Sequence, residues 1–198
     1  MSGANPLDRR VVVAALLRDR GDLLVVAGLG APAWDATAAG DSPLTFPLWG
    51  AMGSAAMVGL GLALAQPQRA VLVLTGDGEM LMGMGSLASI GVQRPVNLSV
   101  AVLDNERYGE TGMQPTHTAH GIDLAAIAAG CGFAQSETIR DMTGVAALAA
   151  RLKAQQGPLF AQIKIAADTK PLVLPPRDGA LLKHRFRAAL LGPQAALE

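Results

Sequence analysis

The sequence predicts a single-domain α/β fold, a parallel sheet with helices on both faces. Three observations point to it. The runs Val71-Leu72-Val73-Leu74 and Val100-Ala101-Val102-Leu103 are apolar at every position, as strands covered on both faces are. Ala-rich segments of helical length alternate with such runs. At 198 residues the chain is long enough to bury one substantial core.

The elements follow in order. A helix over 8–20 opens at Asp8, whose short acidic side chain suits a cap. The run 23–27 reads as a first strand. Residues 42–68 carry no charge, which raises the question of a membrane span. Three prolines and four glycines interrupt this stretch and its apolar residues are largely Ala, so the reading is a loop followed by a buried helix over 53–65. Its glycines permit close backbone approach, which predicts a place at a subunit interface or beneath a bound ligand. A strand over 71–75, a helix over 80–91 and a strand over 97–103 come next. Helices over 123–130 and 143–155, a strand over 160–165 and a helix over 178–191 complete the chain. Residues 171–176 form a short extended connector, and there are no repeats.

Composition excludes several classes. Lys plus Arg and Asp plus Glu number 16 each, so no charge excess favours nucleic acid. The single Cys131 rules out a disulfide framework, a four-cysteine zinc site and a cysteine-ligated cluster built by this chain alone. Residues 1–10 show no apolar signal core, and the apolar stretch 11–17 is short and closed by Arg18-Asp19-Arg20. A cytoplasmic protein with no membrane partner is expected.

Two glycine-rich turns could hold a ligand. Gly28-Leu29-Gly30-Ala31-Pro32-Ala33 satisfies a dinucleotide fingerprint in form, but Pro32 removes an N–H and no acidic residue ends a second strand at the ribose distance. A structural turn is the reading there. Gly76-Asp77-Gly78 is different, because it closes the strand 71–75 and so delivers a carboxylate to the carboxyl edge of the sheet, where open α/β folds bind ligands. Its glycines let backbone approach phosphate. The next strand brings Asp104-Asn105 to the same edge, 26 residues lying between Gly78 and Asn105. A carboxylate and an amide oxygen there suit Mg2+, whose remaining oxygens a diphosphate can supply. Gly-Asp-Gly by itself is also a common turn.

This pairing and spacing resembles the thiamine diphosphate (ThDP) enzymes, whose signature is Gly-Asp-Gly followed at a similar distance by Asn. The resemblance implies the ThDP-binding fold, ThDP and Mg2+ as cofactors, and three metal ligands: Asp77, the Asn105 side chain and the Arg107 backbone carbonyl. The family often has two asparagines where this chain has Asp104-Asn105. Gly50-Ala51-Met52-Gly53 resembles the turn that holds ThDP bent, with Met52 wedged between its rings and the Gly50 carbonyl accepting from the aminopyrimidine. Taken alone, Met52 also reads as ordinary core. The bend brings the exocyclic nitrogen to the thiazolium carbon whose proton must leave. Among these enzymes the chain resembles the phosphonopyruvate and sulfopyruvate decarboxylases. Tyr108-Gly109-Glu110-Thr111-Gly112-Met113-Gln114-Pro115-Thr116 and Leu182-Lys183-His184-Arg185-Phe186 carry that likeness, which departs from the family pattern over 31–35.

The implied activity is decarboxylation of a 2-oxo acid to an aldehyde. The family's activating Glu lies on a pyrimidine-binding domain, and none is recognisable here. The whole chain, 1–198, therefore reads as the diphosphate-binding domain, completed by an α subunit in a hetero-oligomer of at least α2β2. Candidate cofactor contacts are Gly50, Met52, Gly76, Asp77, Gly78, Glu79, Asn105, Arg107, Tyr108 and Gly109. Glu79 is expected to cap the following helix or meet the diphosphate amides. His117 and His120, in the segment after Asn105, are candidates to relay a proton, although loop histidines are common. Arg107 and Arg94 are candidates to pair with a substrate sulfonate or phosphonate. A subunit of another ThDP enzyme, such as an oxidoreductase or carboligase, and a non-catalytic ThDP-binding subunit are the alternatives.

Overall fold

The structure, a computed structural model, describes residues 6–194, so the first five residues of the stretch read for a signal sequence lie outside it. Helix α1 (Arg9–Leu17) is capped by the Asp8 carboxylate, which accepts from the Arg10 and Val11 N–H groups. It ends three residues short of the expected 20, and Asp19 is left-handed. Strand β1 (Leu24–Ala27) leads into α2 (Ala31–Ala38). The sequence reading had this segment only as a turn. Pro32 lies in the first helical turn, where a missing N–H costs nothing. Strand β2 (Thr45–Pro47) and helix α3 (Ala55–Ala65) follow, then β3 (Val71–Gly76).

The helix expected over 80–91 is two helices, α4 (Asp77–Met82) and α5 (Gly85–Gln93). Gly83 separates them, and its bare Cα face is occupied by the backbone of Gly53. Strand β4 (Leu98–Asp104) precedes a small antiparallel pair, β5 (Arg107–Tyr108) and β6 (Gln114–Pro115), and a 3-10 turn at His117–His120. Then come α6 (Leu124–Gly130), β7 (Gln135–Ile139), α7 (Met142–Arg151), β8 (Leu159–Lys164) and α8 (Gly179–Leu191).

Among the described residues the main sheet has six strands in the order β2-β1-β3-β4-β8-β7, all parallel. Side chains alternate between its faces. Val25, Ala27, Leu72, Leu74, Ala101 and Ile163 face α1, α2 and α7, while Val26, Val73, Val100 and Phe160 face α3, α5 and α6. The chain leaves β1 in one direction toward β2 and leaves β3 in the other toward β4. That reversal puts a crevice at the carboxyl ends of β1 and β3.

Helix α3 packs closely on the sheet, and a β-carbon on Gly59 would stand 2.2 Å from Val73 Cγ2. Its other side is apolar and open, with Met57, Val58 and Leu64 exposed. No helix among the described residues is long and apolar enough to cross a membrane.

Candidate cofactor site

A cleft of about 270 Å³ opens at the carboxyl edge of the sheet. Leu29 and Pro32 from the β1–α2 turn, Met52 from the β2–α3 turn, Asp77 from α4 and Asn105 from the end of β4 line it. Four separate connections therefore converge on one volume, as the topology requires. Gly76, Gly78, Glu79, Arg107, Tyr108 and Gly109 also line it. Gly50 does not, standing exposed on the turn before Met52.

Asp77 is almost fully buried, at 2% exposed. The Thr116 hydroxyl donates to its Oδ2 at 2.5 Å, and the Thr118 hydroxyl lies 3.3 Å from the same oxygen. Thr118 is 2.8 Å from Asp104 Oδ1 and 2.9 Å from Thr116. Two hydroxyl protons must serve these four contacts, so not all of them are full hydrogen bonds at once. Burial pushes the Asp77 carboxyl up to about 6, against the Thr116 hydrogen bond and with the Asp104 charge adding to the rise. Burial opposes the charge on Asp104 too, but hydrogen bonds from Lys164, Gln162 and Thr118 hold it below the usual carboxylate range.

Asn105 sits in a pair of side-chain turns. Asp104 Oδ1 accepts from the Glu106 N–H at 3.0 Å, and Asn105 Oδ1 accepts from the Arg107 N–H at 3.0 Å. Glu106 between them is left-handed, with φ 62°. The chain thereby doubles back so that Asn105 and Arg107 both face the cleft. Tyr108 lies against Gly78, where a β-carbon would come within 2.6 Å of its ring. Its hydroxyl is 3.3 Å from His117 Nδ1.

The donor set fits a hard cation held with a diphosphate. Asp77 brings a carboxylate and Asn105 an amide oxygen to the cleft. No cluster of three or more His, Cys, Asp or Glu side chains able to hold a metal exists among the described residues. A cation here needs oxygens from its ligand, which is how Mg2+ is held with phosphates.

Other expectations change. Glu79 does not cap α4; the Thr75 hydroxyl donates to its Oε2 at 2.8 Å. Burial raises its carboxyl, opposed by that bond and by backbone N–H groups of Ala55, Gly53 and Leu29. Glu79 is thus buried beside the turns after β1, β2 and β3, and its Oε1 has no hydrogen-bond partner among the described residues. Gly28 makes room for it, because a β-carbon would stand 1.8 Å from Oε2. His117 and His120 are exposed and do not line the cleft, His117 meeting it only through Tyr108. Arg94 caps α5 just before β4 begins, at the opposite edge of the sheet, so it cannot pair with a ligand in the cleft. Arg9 and Lys170, which also line the cleft, had no role in the sequence reading, nor had the buried Thr118; Glu110, in the cleft, and the buried Thr116 entered it only within the segment 108–116. Gln162 and Lys164, polar residues in an otherwise apolar strand, were the available signal for the network beneath Asp104.

The fold and the cleft define a cofactor-binding α/β domain, and the chain belongs to the thiamine pyrophosphate (thiamine diphosphate) enzymes: the family model of their C-terminal TPP binding domain matches residues 32–163. Several of its relatives are decarboxylases by name, while a more distant one, 27% identical, is the acetolactate synthase isozyme 1 large subunit of Escherichia coli. Over 165 residues it is 38% identical to sulfopyruvate decarboxylase subunit beta of Methanothermobacter thermautotrophicus, covering 83% of this chain and 85% of that one. It is 37% identical to phosphonopyruvate decarboxylase of Streptomyces viridochromogenes, covering 88% of this chain but only 44% of the relative. The chain thus spans less than half of that phosphonopyruvate decarboxylase and most of the β subunit. The solved structure of benzoylformate decarboxylase from Polynucleobacter necessarius shares the fold, with a TM-score of 0.66 and 19% identity over 85% of this chain and 35% of that one.

Proposed function

We propose that this chain is the diphosphate-binding β subunit of a ThDP- and Mg2+-dependent decarboxylase acting on an acidic 2-oxo acid such as 3-sulfopyruvate, giving sulfoacetaldehyde and CO2, or phosphonopyruvate. The observation that carries the reading is the meeting of Asp77 and Asn105, from adjacent parallel strands, in one cleft with Met52.

Asp77, Asn105 and the Arg107 carbonyl would hold Mg2+ and, through it, the diphosphate. Met52, in the cleft, would hold the cofactor bent, and the Gly50 carbonyl, on the exposed turn just before it, would accept from the aminopyrimidine. Bound ThDP supplies a carbon nucleophile and an acceptor for the electrons released with CO2. Tyr108 and His117 form a hydrogen-bonded pair leading from the cleft to solvent, a route by which a proton reaches the product; His120 stands on the same exposed turn. Arg107, which lines the cleft, is our candidate to meet an acidic substrate group.

The activating Glu and the pyrimidine-binding domain belong to an α subunit, in an assembly of at least α2β2 in the cytoplasm. The exposed apolar side of α3, directly after the Met52 turn, supplies a surface against which that subunit packs. The test is CO2 release from sulfopyruvate and from phosphonopyruvate by the chain alone and with the subunit encoded beside it. Activity only with both subunits is the expected result. Robust release by the chain alone overturns the split site, and ThDP oxidation or carboligation chemistry by the pair overturns the decarboxylase reading.

A further inference from the structure

Lys164 ends β8 directly beside Asp104, its register partner at the end of β4. Its Nζ lies 2.6 Å from Asp104 Oδ2 and 2.8 Å from Glu106 Oε1. These two carboxylates flank Asn105 in the chain. One ammonium therefore grips both shoulders of the residue read as the amide ligand of the metal.

Each shoulder leads to a different part of the clamp. Asp104 receives the Thr118 hydroxyl, which also approaches Asp77 Oδ2, so the Lys164–Asp104 pair is one contact removed from the charged ligand. Glu106 holds the left-handed turn that folds Arg107 back toward the cleft. We propose that Lys164 is a positioning residue of the metal clamp, setting Asp77 through Asp104 and Thr118, and Asn105 with the Arg107 carbonyl through Glu106. The proposal rests on the reading of Asp77 and Asn105 as cation ligands.

Neutralising Asp104 does not by itself explain the arrangement. The Asp104 side chain is fully buried and also accepts from Gln162 Nε2 at 2.5 Å, so a buried cation is well used there. The Glu106 side chain is 44% exposed, and such a pair contributes little stability. What the second contact determines is where residue 106 sits. Outer-shell partners of metal ligands typically change metal affinity ten- to a hundredfold when removed.

The test uses Mn2+, which takes the same oxygen ligands as Mg2+ and reports by electron paramagnetic resonance. Mn2+ with ThDP is titrated into the full chain and its variants. Lys164→Met is expected to weaken Mn2+·ThDP binding roughly tenfold or more, with Lys164→Arg restoring it to within about threefold. Because Lys164→Met leaves a buried charge unpaired, Lys164→Met/Asp104→Asn is the second variant. It removes that charge but also the grip on Glu106, and the expected affinity stays about tenfold below wild type. Wild-type affinity and an unchanged Mn2+ line shape in the double variant overturn the proposal, showing that Lys164 only neutralises Asp104. Failure of the wild-type chain to take up Mn2+·ThDP, with or without its partner subunit, overturns instead the cation-site reading beneath it.

Discussion

Gly53 and Gly83 meet backbone to backbone: a β-carbon on Gly83 would stand 1.9 Å from the Gly53 carbonyl oxygen. The contact joins the turn carrying Met52 to the break between α4 and α5. One side of the cleft is thus fastened to the element bearing Asp77. Backbone cannot withdraw as a flexible side chain can, so Gly83→Ala should cost about 1–3 kcal/mol of stability. It should also weaken ThDP binding by displacing Met52. Thermal unfolding and a cofactor titration check both, and a variant with native stability and affinity would show that the turn yields freely.

Asp77→Ala should abolish Mg2+-dependent ThDP binding, because it removes the one charged protein ligand proposed for the cation. Asn105→Ala should weaken binding less, since a water can replace a neutral amide oxygen. Calorimetric titration of Mg2+·ThDP ranks the two, and a greater loss for Asn105→Ala contradicts the assignment of roles.

The raised Asp77 carboxyl makes a prediction for the metal-free chain. Between its ordinary value of 3.8 and about 6, the folded chain keeps a proton that the unfolded chain has released. The unfolded state then binds fewer protons, so this group's contribution to stability falls as pH rises through that window. The loss is complete above pH 6 and amounts to at most about 3 kcal/mol. Glu79, also raised by burial, acts in the same direction. Urea unfolding of wild type and Asp77→Asn across the window separates them: the difference in stability between the two should change with pH from 4 to 6 and be flat above it.

Asn97 supplies a control remote from the cleft. Its Nδ2 donates to the carbonyls of Ala63, Gln66 and Arg69 at 2.9–3.1 Å, closing the loop between α3 and β3. Asn97→Ala should lower stability by about 1–3 kcal/mol, as buried acceptors lose their donor. Cofactor affinity at a temperature well below unfolding should be unchanged. A parallel loss of affinity would mean that this loop is coupled to the cleft.

The central strands were readable in the sequence because each is apolar on both faces, and Asp77 and Asn105 because each directly ends or follows such a strand. The two edge strands were not. β2 is three residues including Pro47, and β7 reads Gln135-Ser136-Glu137-Thr138-Ile139, half-buried and polar, since an edge lacks a neighbour on one side. α2 was hidden by its glycine- and proline-containing start. The division of α4 from α5 depends on Gly83 touching Gly53, thirty residues away in the chain, and no local pattern carries a contact of that kind. Within the cleft, the proposed ligands were read from strand ends, while the hydroxyls that meet Asp77, those of Thr116 and Thr118, depend on how the segment after β6 returns to the sheet.

Arg94 has a use that its distance from the chemistry creates. Exposed, left-handed and at the amino edge of the sheet, it marks a face that carries none of the loops converging on Asp77. A fluorophore or immobilising tag attached there, with Cys131 replaced if thiol coupling is chosen, would leave the cleft free. The chain could then be held on a surface while cofactor, metal and candidate α subunits are passed over it in any order, and the order in which they must arrive could be read directly.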